Sequence, residues 1–186
     1  MNSWIIYFFQ SLKELEHDSN MQGSAAWTIF LTKIMQRIGK KMDCYVQSKN
    51  IMKDGNSGEY LNIDALFFKN DDCKDWVSNY PPPVLPAAAI EMENDYAKEK
   101  IAYCLWKIIC IRSEIRVVIC HQDNKQKCFL LRQYLEEVLS TKKFVKEKDS
   151  LYVIIGNDAC KEGSPWEEYY SVFQWQDGSL ENIKLG

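Results

Sequence analysis

Ala89-Ile90-Glu91-Met92-Glu93-Asn94-Asp95 is the stretch that decides the fold, because it joins the end of an apolar run to two acids and a helix start. The run begins at Val84 and predicts a buried strand that ends in Glu91 and Glu93. Side chains alternate between the faces of a strand, so the two carboxylates project to the same side of the sheet, roughly 7 Å apart. Asn94-Asp95 can then cap the next helix.

A third acid, Asp64, lies in the middle of the preceding predicted strand, residues 59–68. That strand is the second arm of a hairpin whose first arm is 42–47 and whose turn is 53–58. If the two strands pair, the three carboxylates meet and repel one another unless a cation neutralises them. Hard oxygen ligands suit Mg²⁺, or Mn²⁺ in its place, and such an ion can activate water for attack on a phosphoryl group.

Hydrophobic periodicity predicts the elements around these strands. Residues 24–38 have helical spacing and end at Gly39, a stop signal. A second helix runs from Asp95 to about Arg112, and its core-facing stripe contains Ile101, Cys104, Leu105, Ile108 and Ile111.

The second half of the chain predicts two more buried strands, because residues 115–120 and 151–156 are continuous apolar runs. A helix over 127–139 separates them. The tail, residues 166–178, is dense in aromatic side chains and predicts an edge strand with a turn at Asp177-Gly178.

This order of elements predicts an α/β fold, a mixed sheet flanked by helices. The 186 residues fit one domain, 1–186. Its core covers about 24–157, with a helical N-terminal extension over 1–23 and the aromatic edge strand within 158–186.

The composition is that of an ordinary globular protein, with 46% hydrophobic and 26% charged residues. The chain has a net charge of −3, whereas proteins that bind nucleic acid by charge alone are basic. Seven cysteines without close pairs indicate reduced thiols, and the apolar start is too short to cross a bilayer, so we expect a cytoplasmic protein. No G-x-S-x-G, P-loop or G-x-G-x-x-G motif points to another chemistry.

An acid in a hairpin, about two dozen further residues, and then Glu-x-Glu before a helix resemble the PD-(D/E)XK nuclease superfamily. The resemblance is best over residues 59–122 and includes Leu105-Trp-Lys-Ile and Arg116-Val-Val-Ile. It implies an αβββαβ core of the restriction-endonuclease type. It also implies that Asp64 bridges the metal and that Glu91 is the (D/E) ligand, while Glu93 replaces the motif lysine.

A lysine on the adjacent helix can take over the missing charge. Lys107 is preferred because it lies beside Trp106 in an apolar helix, and Lys100 lies one heptad earlier on nearly the same face. Either lysine also fits a half-buried helix from which the ammonium extends to water. A further acid, from Glu14 or Glu16, can add a metal ligand if the family's upstream helical acid is present. His121 is interpreted as a satisfied histidine at a strand end.

The resemblance implies a magnesium-dependent endonuclease, a hydrolase that cleaves phosphodiester bonds, expected in DNA, with a restriction-like or defence role. Cutting both strands of a duplex favours a homodimer. The replacement at Glu93 and the acidic pI of about 5.5 favour an alternative, an inactive nuclease-fold module that binds nucleic acid or a protein. A third hypothesis is a structural subunit whose aromatic tail docks a partner.

Overall fold

The computed structural model describes residues 3–15, 24–48, 60–73, 84–142, 150–161 and 163–183. It is an α/β structure in which a mixed seven-stranded sheet, with strands in chain order from β1 to β7, is accompanied by helices. The expected fold class is confirmed at this level. The chain divides into two compact units, Met1–Ala89 and Ile90–Gly186, and the boundary falls within one strand.

The first unit contains two helices and an antiparallel strand pair. Its elements are α1 (Ser3–Leu15), α2 (Ser24–Lys41), β1 (Cys44–Ser48) and β2 (Ala65–Lys69). The pair is in register from Cys44 opposite Lys69 to Ser48 opposite Ala65, which confirms that the two predicted arms pair, over shorter ranges than predicted. The predicted turn, 53–58, lies outside the described residues.

The sequence predicted that Gly39 ends its helix, and this prediction is wrong, because α2 continues to Lys41. A side chain at this position would begin 2.1 Å from Val46 Cγ2 on β1, so the glycine permits close packing of helix on strand. The chain reverses instead at Asp43, whose φ of 52° lies in the left-handed region. Gly39 is therefore a packing position.

Asp64 lies immediately before β2, where the prediction had placed it in mid-strand. The segment before it, Tyr60–Asn62, forms a 3₁₀ turn in which Leu61 and Asn62 have positive φ. Regular strand conformation is therefore interrupted there, and only the second half of the predicted arm pairs with β1.

The second unit is built on parallel and antiparallel strands. Its elements are β3 (Ala88–Glu93, which begins in the first unit), α3 (Lys98–Cys110), β4 (Ile115–Gln122), α4 (Lys125–Lys142), β5 (Ser150–Asn157), α5 (Trp166–Tyr169), β6 (Tyr170–Gln176) and β7 (Ser179–Asn182). Strands β4 and β5 are parallel and in register from Ile115 opposite Ser150. Every residue of β4 is buried, as its continuous apolar run predicted.

The aromatic tail differs from its prediction. Residues 166–169 form the short helix α5, and β6 is an inner strand, because β5 and β7 pair on either side of it. The predicted turn is confirmed: Asp177 and Gly178 have φ of 48° and 88°, which suits a two-residue hairpin loop. No helix of the described residues is long and apolar enough to cross a membrane.

Candidate active site

The last strand residues of β3 face helix α3. Glu91 Oε2 lies 2.7 Å from Lys107 Nζ, and the two side chains are 1% and 19% exposed. A carboxylate this deeply buried is costly unless an opposite charge and hydrogen bonds compensate for its lost hydration. Lys107, the lysine preferred from the sequence, supplies that charge from helix α3.

Glu93 contacts the same helix. Its Oε2 accepts a hydrogen bond from Cys104 Sγ at 3.7 Å, and its Oε1 accepts one from the backbone N–H of Asp95 at 2.8 Å. Cys104 also interacts with Glu91, so both acids lie on the α3 side, as strand alternation predicted. Burial and the nearby Glu91 carboxylate raise the pKa of the Cys104 thiol. The thiol therefore stays a neutral donor between two acids.

Lys100, the second candidate lysine, pairs with Asp95 rather than with Glu91. Asp95 accepts a hydrogen bond from the Ala97 N–H at 2.9 Å, and the Lys100 ion pair is the main reason why its pKa is lowered. The predicted cap is wrong in detail: α3 begins at Lys98, and the capping position is Ala97, which has no side-chain cap. Asp95 shapes the turn before the helix.

The remaining predicted acids lie in the first unit. Asp64 is partly buried at the start of β2. Glu14 lies 3.1 Å from Arg37 Nη1 and 2.7 Å from Lys41 Nζ, and the hydrogen bond from Lys41 is the main reason why its pKa is lowered. Its charge is therefore used between α1 and α2. Glu16 is outside the described residues.

The resemblance implies a metal ion that acidic side chains would hold. Glu91 and Glu93 offer carboxylate oxygens, the donors that Mg²⁺ and Mn²⁺ prefer. In the part of the chain that the structure describes, no group of three or more His, Cys, Asp or Glu side chains is arranged to hold a metal. Glu91 and Glu93 thus match Mg²⁺ and Mn²⁺ in donor type, as two carboxylates and not as a group of three.

A polar network that the sequence analysis missed joins the ends of β4 and β5. Asp158 Oδ2 accepts a hydrogen bond from Tyr96 at 2.5 Å, and Asp158 Oδ1 accepts one from Tyr169. His121 Nδ1 lies 2.9 Å from the Tyr169 hydroxyl. Because the single proton of Tyr169 is donated to Asp158, His121 must donate from Nδ1, which assigns the hydrogen to that nitrogen.

This network holds the loop that follows Glu93. Gln122 Nε2 donates to the Tyr96 carbonyl at 2.9 Å, so side chain and backbone of Tyr96 are both held. The hydrogen bond to Asp158, followed by burial, raises the pKa of Tyr96 to about 12. His121 enters this network through Nδ1, at the end of β4. The only sequence signal for this network was the change from apolar residues to Asn157 and Asp158 at the end of β5.

Comparison with known proteins adds no assignment. No known family matches the chain, and no curated protein matches it in sequence. The PD-(D/E)XK resemblance therefore stays a prediction based on the residues themselves. The structure adds the proximity of Glu91, Glu93, Cys104 and Lys107 at one end of β3.

Proposed function

We propose that the protein is a metal-dependent endonuclease that hydrolyses phosphodiester bonds, with DNA as the expected substrate. The observation that carries this proposal is the 2.7 Å contact between Lys107 Nζ and Glu91 Oε2. In the motif that the chain resembles, the lysine follows the (D/E) ligand by two residues, where this chain has Glu93. Lys107 brings an ammonium to the same carboxylate from helix α3.

The order of elements supports the proposal at the level of the fold. Helix α2, strands β1 to β3, helix α3 and strand β4 follow one another as the αβββαβ core that the resemblance implies. A restriction-endonuclease-like core is therefore part of the proposal. Fold likeness alone does not give an activity, so the weight rests on the side chains at the end of β3.

Glu91 and Glu93 are proposed to hold Mg²⁺ or Mn²⁺, and Asp64 is proposed as a further ligand on sequence grounds. The ion, when bound, supplies a more acidic water and neutralises charge on the phosphoryl group. The ammonium of Lys107 carries three N–H donors, and a non-bridging phosphate oxygen is an acceptor of the kind that it binds. Its positive charge would stabilise negative charge that develops on that oxygen during hydrolysis.

Neighbouring groups keep the two acids in position. The Asp95 N–H and the Cys104 thiol each donate to one oxygen of Glu93, which fixes the orientation of its carboxylate. Because the Cys104 thiol remains protonated, it adds no third negative charge beside Glu91 and Glu93. The arrangement therefore presents two oriented carboxylates and one ammonium.

The direct test is nicking of supercoiled plasmid in Mg²⁺ or Mn²⁺. We expect wild-type protein to nick the plasmid, and Glu91→Gln and Asp64→Asn to lose the activity. Glu99→Gln changes an exposed acid on α3, the helix that carries Lys107, and serves as the control. Equal nicking by wild type, Glu91→Gln and Asp64→Asn would refute this site. Linear product from a single encounter would favour the expected dimer.

A second candidate function is the inactive nuclease-fold module that binds nucleic acid or a protein. It is favoured by the Glu91–Lys107 ion pair itself, since the ammonium balances the buried carboxylate without a metal. Calorimetric titration with Mn²⁺ separates the two. The nuclease proposal requires binding heat that is lost in Glu91→Gln, whereas an inactive module gives no heat with either protein. A restriction-like or defence role is implied by the resemblance alone.

A further inference from the structure

Two exposed aromatic rings lie beside the ion pair. Tyr103 and Trp106 are 59% and 49% exposed on α3, away from its buried face. Their rings stack, with centroids 5.7 Å apart and planes inclined by 24°. They form a continuous aromatic surface in contact with water, and contiguous exposed apolar area is a feature of interaction sites.

Lys107 connects this aromatic surface with Glu91. Its Nζ lies 2.7 Å from the carboxylate and 5.7 Å from the centroid of the Tyr103 ring, within the range of cation–π contact. Exposure increases along the series, from the buried Glu91 through Lys107 to Tyr103 and Trp106. The ammonium therefore stands between a candidate reaction centre and an open aromatic face.

Helix α3 carries lysines as well as the two rings. Its thirteen residues include three lysines and one glutamate, and two of the lysines pair with acids from outside the helix, Lys107 with Glu91 and Lys100 with Asp95. Lysines that neutralise phosphates supply most of the sequence-independent affinity for nucleic acid, and aromatic rings add stacking on bases. The helix combines both features on neighbouring residues.

We propose that Tyr103 and Trp106 are a stacking platform for an unpaired base of single-stranded nucleic acid, next to a phosphate bound by Lys107. This inference rests on the proposed nuclease function and names its substrate class. Both faces of a base inside a duplex are covered by its neighbours, so an unpaired base is the one that can reach an open ring. Stacking on a π face tolerates any base, so we expect little sequence preference.

The test is binding of a fluorescein-labelled DNA strand of about 12 nucleotides and mixed sequence, followed by fluorescence anisotropy in EDTA so that no cleavage occurs. The same strand annealed to its complement is compared with it. We expect the single strand to bind more tightly than the duplex. Replacing both rings, Tyr103→Ala with Trp106→Ala, should raise the single-strand Kd about tenfold or more, because stacking on both rings is lost.

Two variants serve as controls. Tyr103→Phe with Trp106→Phe keeps aromatic faces and should bind within about twofold of wild type, since stacking needs only a π face. Phe129→Ala on α4 removes a ring that is also 49% exposed and should leave Kd unchanged. Thermal unfolding of each variant confirms that it is folded. The expected pattern cannot arise from a general loss of exposed aromatic area.

Three results would overturn the inference. The first is no measurable binding of the single strand by wild type, and the second is an unchanged Kd in the double alanine variant. The third is a wild-type dimer that Trp106→Ala converts to monomer in sedimentation without a change in Kd, which would make the surface a contact between copies. An RNA strand of the same sequence shows whether the platform accepts both sugars.

The outcome is distinguishable from that of the nicking test. Ring-dependent binding without nicking would reject the nuclease and keep the platform as part of a binding module. Nicking that depends on Glu91 but not on the two rings would keep the nuclease and reject the platform.

Discussion

Lys107 on α3 and Glu91 on β3 form an ion pair at 2.7 Å in which the carboxylate is almost entirely buried. Taking these charges out of water is compensated only while both partners are present. The ion pair therefore stabilises the packing of α3 against the end of β3. It also places a positive charge next to the acid that the nuclease resemblance makes a metal ligand.

We expect Lys107→Met to lower the free energy of unfolding by about 3 kcal/mol or more, because Glu91 is left buried without its cation. The double variant Glu91→Gln with Lys107→Met should recover most of the loss. Urea denaturation measures both. Lys100→Met removes a solvent-exposed pair with Asp95 and should lower the free energy of unfolding far less than Lys107→Met. A Lys107→Met protein as stable as wild type would show that this pair does not stabilise the fold.

Nuclease activity should distinguish the two candidate lysines. Lys107→Met should reduce the rate of plasmid nicking by about 100-fold, the typical effect of removing one group that stabilises developing charge. Lys100→Met should reduce it little, because Lys100 contacts Asp95 instead of Glu91. Rates are compared at a temperature at which both variants are folded. The opposite order of rates would assign the role to Lys100.

The Tyr96–Asp158 hydrogen bond should give a pH-dependent contribution to stability. At neutral pH, Tyr96→Phe should lower the free energy of unfolding by at most about 1 kcal/mol, because the bond is partly exposed. The pKa of Tyr96 is raised from 10.0 to about 12 in the folded protein, so the contribution is complete below pH 10 and is lost as pH rises through 12.

The measurement is urea denaturation of wild type and Tyr96→Phe at several pH values from neutral to alkaline. The tyrosines that do not contact Asp158 are present in both proteins, so their titration cancels in the difference. We expect the difference in unfolding free energy to shrink above pH 10. A difference that stays constant up to pH 12 would argue against the bond between Tyr96 and Asp158.

Thiol reactivity should separate the cysteines of α3. Cys110 is exposed, whereas Cys104 is buried, and burial together with the neighbouring Glu91 and Glu93 raises the pKa of the Cys104 thiol. Since thiolate is the reactive form, Cys104 should resist iodoacetamide in the native protein at pH 8. Mass spectrometry of digested protein measures labelling at each position. Cys110→Ser should remove a fast phase, and early labelling of Cys104 would contradict this geometry.

Gly39→Ala should destabilise the protein by about 1–3 kcal/mol, the usual effect of overpacking, because its new methyl group would overlap Val46. Val46→Ala removes the overlapping atoms and should reduce the added cost of the glycine substitution in the double variant. Denaturation of the four proteins gives the coupling between the two positions. Additive effects would show that Gly39 does not limit the approach of α2 to β1.

Local pattern was sufficient for most elements. The continuous apolar runs of β4 and β5 and the helical spacing of α3 and α4 depend on residues only a few positions apart, so they can be recognised without knowing the fold. The Asp177-Gly178 turn was predictable for the same reason. The position of Asp64 before β2 was not, because the irregular backbone at Leu61 and Asn62 ends the regular strand.

The sequence by itself determined that β3 ends in two acids on one face and that a lysine-bearing amphipathic helix follows. Only the tertiary structure decided that Lys107 meets Glu91 while Lys100, about 10 Å away along the helix, pairs with Asp95. The two lysines occupy nearly the same helical face, so periodicity cannot separate them. Their difference arises from where α3 packs against β3, which depends on side chains that the chain brings together only on folding.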